Sequence, residues 1–197
     1  MKKLLLLLIV FASCKKEIHY YPSEDFFKEN NPREINIDDL SFEKITDSIR
    51  NGLYENKFYF LEVEDSKNIY KILPFAYTGG YIKKRNALEI VNDSLWFSAE
   101  KVSINELEKY IKLHYENNGK IRYLPDSYKR AFLKLILEPK DNSRKLKTKL
   151  LNIIQVYNKA VIKNKDSIDL NIMLHYFLDK VYPPPFPPVP QPLIIED

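Results

Sequence analysis

Cysteine occurs once in these 197 residues, at position 14, which excludes an intramolecular disulfide and any zinc site built from several thiolates. Glycine is almost as scarce: only Gly52, Gly79, Gly80 and Gly119 are present. No G-x-G-x-x-G, P-loop or G-x-S-x-G nucleophile elbow can be assembled from them. The Gly79-Gly80 pair lacks repeat glycines and a following Lys-Ser/Thr, so it reads as a turn. His19, His114 and His175 are the only histidines, with no H-x-x-x-H or H-E-x-x-H spacing, and neither a metal nor a cofactor is expected. His114, on an apolar helix stripe, and His175 read as satisfied, half-buried side chains. The longest apolar run, Leu4 to Ala12, has nine residues, about half of the roughly 20 a spanning helix needs. Excess charge of one sign is missing too. Without Lys2 and Lys3 the chain has 29 basic against 27 acidic side chains, so nothing points to nucleic acid.

What is present begins at the first residue. Met1-Lys2-Lys3, the apolar run Leu4 to Phe11 and then Ala12-Ser13-Cys14 follow the grammar of a secretory signal. The small pair followed by the solitary cysteine resembles a bacterial lipoprotein signal, with Phe11 where Leu is usual. That resemblance implies cleavage between Ser13 and Cys14, a diacylglyceryl group on the Cys14 thiol and an N-linked acyl chain such as palmitate. Several acyl chains anchor durably where one holds only marginally. Lys15-Lys16-Glu17 resembles a charged surface-sorting run, and no Asp follows Cys14. The expected location is the outer membrane, on its periplasmic face or at the cell surface, with the bilayer as partner through acylated Cys14.

The mature chain from Cys14 has 184 residues, which suits one domain with tails. The expected organisation is a signal peptide at 1–13, a lipidated tether at 14–35, a globular domain at 36–180 and a proline-rich tail at 181–197. Pro22 and Pro32 break the tether, leaving one helical turn at Ser23 to Lys28. A helix is predicted over Asp38 to Arg50, capped by Asp38 or Asp39 and stopped at Asn51-Gly52. Lys57 to Glu64 and Ile69 to Phe75 read as a hairpin, and Ala87 to Val91 with Ser94 to Ser98 as a second one around Asn92-Asp93. Ser103 and Glu106 form a capping box for a helix to about Asn118, with Ile104, Leu107, Ile111 and His114 or Tyr115 inward. A strand at Ala131 to Glu138, a helix at Arg144 to Lys163 and a last helix at Ser167 to Lys180 complete the pattern. In the long helix Leu146, Leu150, Ile153, Tyr157 and Val161 face inward. The fold class is α+β, a small antiparallel or mixed sheet with helices on one face.

The run Leu88-Glu89-Ile90 through Leu95-Trp96-Phe97, then Val102-Ser103-Ile104-Asn105-Glu106-Leu107, resembles the periplasmic domain of ExbD/TolR-type biopolymer transporters. Ile154-Gln155-Val156-Tyr157-Asn158 extends the likeness over residues 87–163. The resemblance implies a hairpin–helix–strand–helix order and a partner-binding or cell-wall-binding role. The family's single transmembrane helix, with its proton-conducting aspartate, has no counterpart here, so proton conduction is not expected.

Four candidate surfaces follow from the residues. Lys145, Lys149, Lys159 and Lys163 fall opposite the apolar stripe of the long helix and could meet anionic head groups or cell-wall carboxylates. Tyr77, Tyr81, Trp96 and Phe97 could form a stacking surface for sugars, although aromatics in hairpins are usually core. Glu62 and Glu64 could do glycoside chemistry if opposed across a cleft, but side by side on one strand they read as solvated. The tail from Tyr182 holds seven of the twelve prolines and favours a polyproline II rod. Its Phe186 and Val189 could dock in a partner's aromatic groove or cover apolar surface of their own domain. The expected function is a non-enzymatic binding or scaffold lipoprotein of the cell envelope, with an envelope protein or peptidoglycan as partner. The alternative is an envelope hydrolase that uses carboxylates on cell-wall or glycan substrates.

Overall fold

Three residues between two β-rich runs are enough to show how the chain builds its first sheet. In the computed structural model, which describes residues 16–97, 100–160 and 169–177, Asp65 closes the turn between β3 (Tyr59–Glu64) and β4 (Asn68–Ile72). Its carboxylate accepts from the amides of Lys67 and Asn68, both at 2.8 Å, and from the Tyr70 hydroxyl at 3.0 Å. These donors, the Lys67 amide first, hold the Asp65 carboxyl well below the usual carboxylate range. The two strands pair antiparallel, as the sequence predicts.

The segment expected to be a tether is part of this sheet. β1 (Glu17–Tyr21) pairs parallel with β4, α1 (Glu24–Asn30) follows, and β2 (Arg33–Glu34) pairs parallel with β3. The sheet order is β1-β4-β3-β2. Tyr21 and Phe27 are buried, so the aromatic content of this stretch is core rather than linker. Pro22 and Pro32 mark the ends of short elements, which is where the absence of an N–H costs least.

Helix α2 (Phe42–Tyr54) starts four residues later than expected. Ser41 is its cap, its hydroxyl accepting from the Lys44 amide at 3.4 Å. Asp38 and Asp39 lie in a preceding turn, with Asp39 at φ 62° and the Leu40 amide donating to the Ile37 carbonyl. Gly52 does not stop the helix. It sits inside it because an added Cβ would come within 2.5 Å of the Tyr59 ring and 2.9 Å of the Lys57 carbonyl.

The larger sheet has the order β5-β10-β9-β6-β7-β8. Its strands are β5 (Phe75–Ala76), β6 (Ala87–Val91), β7 (Ser94–Phe97), β8 (Glu100–Ser103), β9 (Phe132–Ile136) and β10 (Ile172–His175). The expected hairpin is β6–β7, with Asn92 at φ 51° in its turn. The sequence reading missed β8, which pairs antiparallel along β7. Ser103 then caps through the Asn105 amide at 3.2 Å, not through that of Glu106, because the first turn is a tighter 3-10 turn before α3 (Leu107–Glu116).

The last predicted helix is a strand. β10 runs parallel between β5 and β9. Ile172, Met173 and Leu174 are buried on both faces of the sheet, and a short continuous apolar run of this kind suits a central parallel strand. Residues 167–168 and 178–180 of that expected helix lie outside the described residues, as do Val161 and Lys163 beyond α4 (Ser143–Ala160).

One hydrophobic core joins both sheets. Leu88, Ile90, Leu133, Leu135, Ile172 and Leu174 face α3 and α4, while Leu61, Val63 and Ile72 reach the same cluster from the smaller sheet. Leu107, Ile111, Leu146, Leu150 and Tyr157 close it from the helices. The architecture is α+β with two mixed sheets.

Candidate functional site

Alternation along the strands decides what the opposite face of the larger sheet displays. If Leu88 and Ile90 point to the helices, Ala87 and Glu89 point away, and so do Trp96, Lys134, Met173 and His175 at matched registers. Two clefts open on this face, of about 400 and 410 Å³, and Lys84, Ala87 and Glu89 line both. Trp96, Phe97 and Tyr123 line the first, and Tyr77, Tyr81 and Ile82 the second. Three of the four aromatics singled out in the sequence, Tyr77, Tyr81 and Trp96, are therefore on this face around Glu89, whereas Phe97 alternates to the helix side, where it packs against the core and its ring meets Tyr110 of α3 at 4.6 Å. Tyr81 is 89% exposed and Tyr123 54%, an unusual outlay of aromatic surface for a solvated loop.

Local structure holds these rings in place. Gly79 at φ 113° and Gly80 at φ 89° make the turn that carries Tyr81, a conformation other residues adopt only with strain. The Tyr77 hydroxyl donates to the Gly80 carbonyl at 2.7 Å, and Arg50 Nε to the Tyr77 carbonyl at 3.1 Å. On the other side, Asn117 is buried and ties down the loop bearing Tyr123. Its amide donates to the carbonyls of Ile121 (3.0 Å) and Pro125 (2.7 Å), and its oxygen accepts from the Ile121 amide at 2.7 Å. The Tyr123 ring meets Phe97 edge-on at 6.0 Å between centroids. Arg85 braces the same loop through an ion pair with Asp126.

The polar groups are few and convergent. Lys134 Nζ and Glu89 Oε1 pair at 3.1 Å across adjacent strands, with both side chains largely covered. His175 lines the second cleft, and its Nδ1 is buried without a partner among the described residues. Burial, then the neighbouring Lys134 cation, pushes its pKa down, so the ring is neutral at physiological pH. His114 lines the first cleft from α3, and its Nε2 bonds the Asn86 carbonyl at 3.0 Å. Burial takes its pKa down to about 4, against the opposing pull of that carbonyl. An apolar, aromatic-lined surface with an amine, a carboxylate and a neutral imidazole can hold a ligand by stacking and hydrogen bonds. Among the described residues no three His, Cys, Asp or Glu side chains converge to hold a metal.

The other sequence candidates are placed differently. Lys149 pairs with Asp93, Lys145 with Asp141 at 2.8 Å, and Lys159 with Glu108 at 2.6 Å. Lys145 also reaches the Asn92 side chain at 3.4 Å. These three lysines thus pair with acids at the β6–β7 turn, ahead of α4 and on α3, on the helix face that the sequence offers either to solvent or to anionic groups. Glu62 and Glu64 are i, i+2 neighbours on one strand and do not face each other, and Glu64 pairs with Lys16 at 2.7 Å. They line a separate groove of about 740 Å³. Both outer sides of the β6–β7 hairpin are taken, by β9 and β8, so it offers no free edge. Cys14, Lys163, Phe186 and Val189 lie outside the described residues.

Glu89, Lys134 and Tyr123 were missed in the sequence. Glu89 was within reach: the Asn92-Asp93 turn sets it opposite Trp96 on one face. Lys134 and Tyr123 join them through long-range contacts that no local pattern encodes. The chain matches no protein-family model, no curated protein and no solved structure. Between residues 87 and 160 the element order is hairpin, strand, helix, strand, helix.

Proposed function

We propose that this protein is a non-enzymatic binding lipoprotein of the cell envelope, anchored through acylated Cys14, that holds cell-wall saccharide on the aromatic face of its larger sheet. The observation that carries the reading is the gathering of Tyr77, Tyr81 and Trp96 on one sheet face, around two clefts that meet at Glu89. Flat rings offer apolar faces to the C–H faces of a sugar, and Glu89, Lys134 and His175 offer acceptors and donors to its hydroxyl and amide groups. The order of residues 87–160 keeps the helix–strand–helix that the ExbD/TolR-type resemblance implies but sets β8 between the hairpin and the first helix, so the reading rests on the aromatic face rather than on that resemblance. Co-sedimentation of the purified chain with peptidoglycan sacculi tests it. Trp96→Ala and Tyr81→Ala should each weaken binding about tenfold, the loss of roughly 1.4 kcal/mol expected when one central aromatic contact is removed. Unchanged binding in both variants would refute the site, and release of soluble fragments from the sacculi would mean a hydrolase. The anchor has its own test: fatty-acid labelling in cells should vanish in Cys14→Ala, and equal labelling of both chains refutes it.

A further inference from the structure

The smaller sheet is left open along part of one side. β2 has two residues and covers only Tyr59 and Phe60 of the six-residue β3. The carbonyls of Phe58 and Phe60 accept from the amides of Arg33 and Ile35, which shows the direction their backbone groups face. Glu62 and Glu64 are in phase with them, so their N–H and C=O groups face the same side. No strand pairs with them there among the described residues, because the chain turns away at Asn36 to Leu40.

The groove of about 740 Å³ runs along this edge. Three consecutive strand residues, Glu62, Val63 and Glu64, line it. Alternating side chains of one strand share a cavity only where the cavity follows the strand's edge rather than one face. Leu151 of α4 lines the groove as well, and Asp38 and Asp39 stand at its end. Four carboxylates therefore border the opening on the strand side, and Arg144 and Lys147 of α4 line it from the helix. Two are neutralised within the chain, Glu64 by Lys16 and Asp38 by Lys147 at 3.1 Å. Glu62 and Asp39 make no ion pair among the described residues, so the strand edge keeps two acidic side chains to offer a ligand.

We propose that this edge binds an extended, cationic segment of a partner protein, which pairs with Glu62–Glu64 as an added strand. Main-chain bonding supplies the register, and the charges decide the occupant. A second copy of this chain paired edge to edge would set glutamates against glutamates, which is destabilising, whereas Lys or Arg at alternate positions would meet Glu62 and Glu64 favourably.

A fluorescent dodecapeptide of alternating Lys and Thr, titrated against the full chain, tests this. Binding should slow amide exchange at Glu62 and Glu64, and an alternating Glu–Thr peptide should not bind. Glu62→Lys with Glu64→Lys should reverse the preference by at least tenfold. A copy of the Lys–Thr peptide N-methylated at alternate residues keeps its charge but loses strand pairing, and should bind at least tenfold more weakly. Equal binding of the two Lys–Thr peptides, protection elsewhere, or no binding would overturn the proposal, as would dimerisation of the chain through this edge.

Discussion

Replacing Gly52 by Ala sets two magnitudes against each other. Gly52 lies inside α2, where alanine is ordinarily better by about 0.8–1.0 kcal/mol. Propensity alone therefore predicts a stabilised protein. The added methyl would lie 2.5 Å from Tyr59 Cε2, 2.7 Å from Cδ2 and 2.9 Å from the Lys57 carbonyl. The ring can swing, but the carbonyl cannot follow easily, because the Lys57 amide bonds back to the Gly52 carbonyl at 2.8 Å. Overpacking of this kind costs about 1–3 kcal/mol, and with the rigid carbonyl in contact the upper half of that range applies, about 2–3 kcal/mol, so the clash wins by about 1 to 2 kcal/mol. For a domain of this size that lowers Tm by about 2–8 °C. Thermal and urea unfolding of Gly52→Ala measure it, and a double-mutant cycle with Tyr59→Ala should recover more than about 0.5 kcal/mol as coupling. A Gly52→Ala chain as stable as the parent would refute the packing account and leave propensity in charge.

Further outcomes follow from buried polar groups. His114 has a folded pKa of about 4 against about 6.5 unfolded, so its contribution is intact above pH 6.5 and is lost as pH falls toward 4, by about 3 kcal/mol. Urea midpoints between pH 4 and 7 should fall less steeply in His114→Gln, and an unchanged slope would refute it. Thr46 is fully buried with its hydroxyl unpartnered among the described residues, so Thr46→Val should gain about 1 kcal/mol, and a loss in the same assay counts against the reasoning. Asn117→Ala removes three hydrogen bonds and should cost about 2–4 kcal/mol, with a parallel loss of saccharide binding as the Tyr123 loop loosens; binding that survives intact separates that loop from the site.

What the sequence made legible was local. Both hairpins carry their own turn chemistry, in Asp65 and in Asn92-Asp93, and both form where predicted. The long helix announces its inward face through Leu146, Leu150, Ile153 and Tyr157, all buried. Competing local signals moved the start of α2. Asp38, Asp39 and Ser41 can all cap, and burial of Phe42 and Ile45 selects the frame that begins after Ser41. β10 was lost because three consecutive apolar residues fit a buried strand or a helix equally well, and only pairing with β5 and β9 decides. β1 was lost because its partner, β4, lies about fifty residues away, with nothing local to reveal it. The candidate site shows the same division. Its aromatics could be named from the sequence, but the floor formed by Glu89, Lys134 and His175 needed three strands to assemble.

The placement of β1 has a mechanical consequence. A tether of some twenty residues would let the domain wander far from the membrane attachment proposed at Cys14. With β1 beginning at Glu17, only three positions after Cys14, the leash of an anchored chain spans at most about 10 Å. Anchored as proposed, the domain would ride on the bilayer surface and search sideways but hardly outward. Any pull between the lipid and a bound partner would then pass directly into β1. Loaded along its own axis, a strand shares the force among all its ladder bonds with β4 at once and does not surrender them one by one from an end. The first five-residue strand is then the fitting through which tension reaches the rest of the protein.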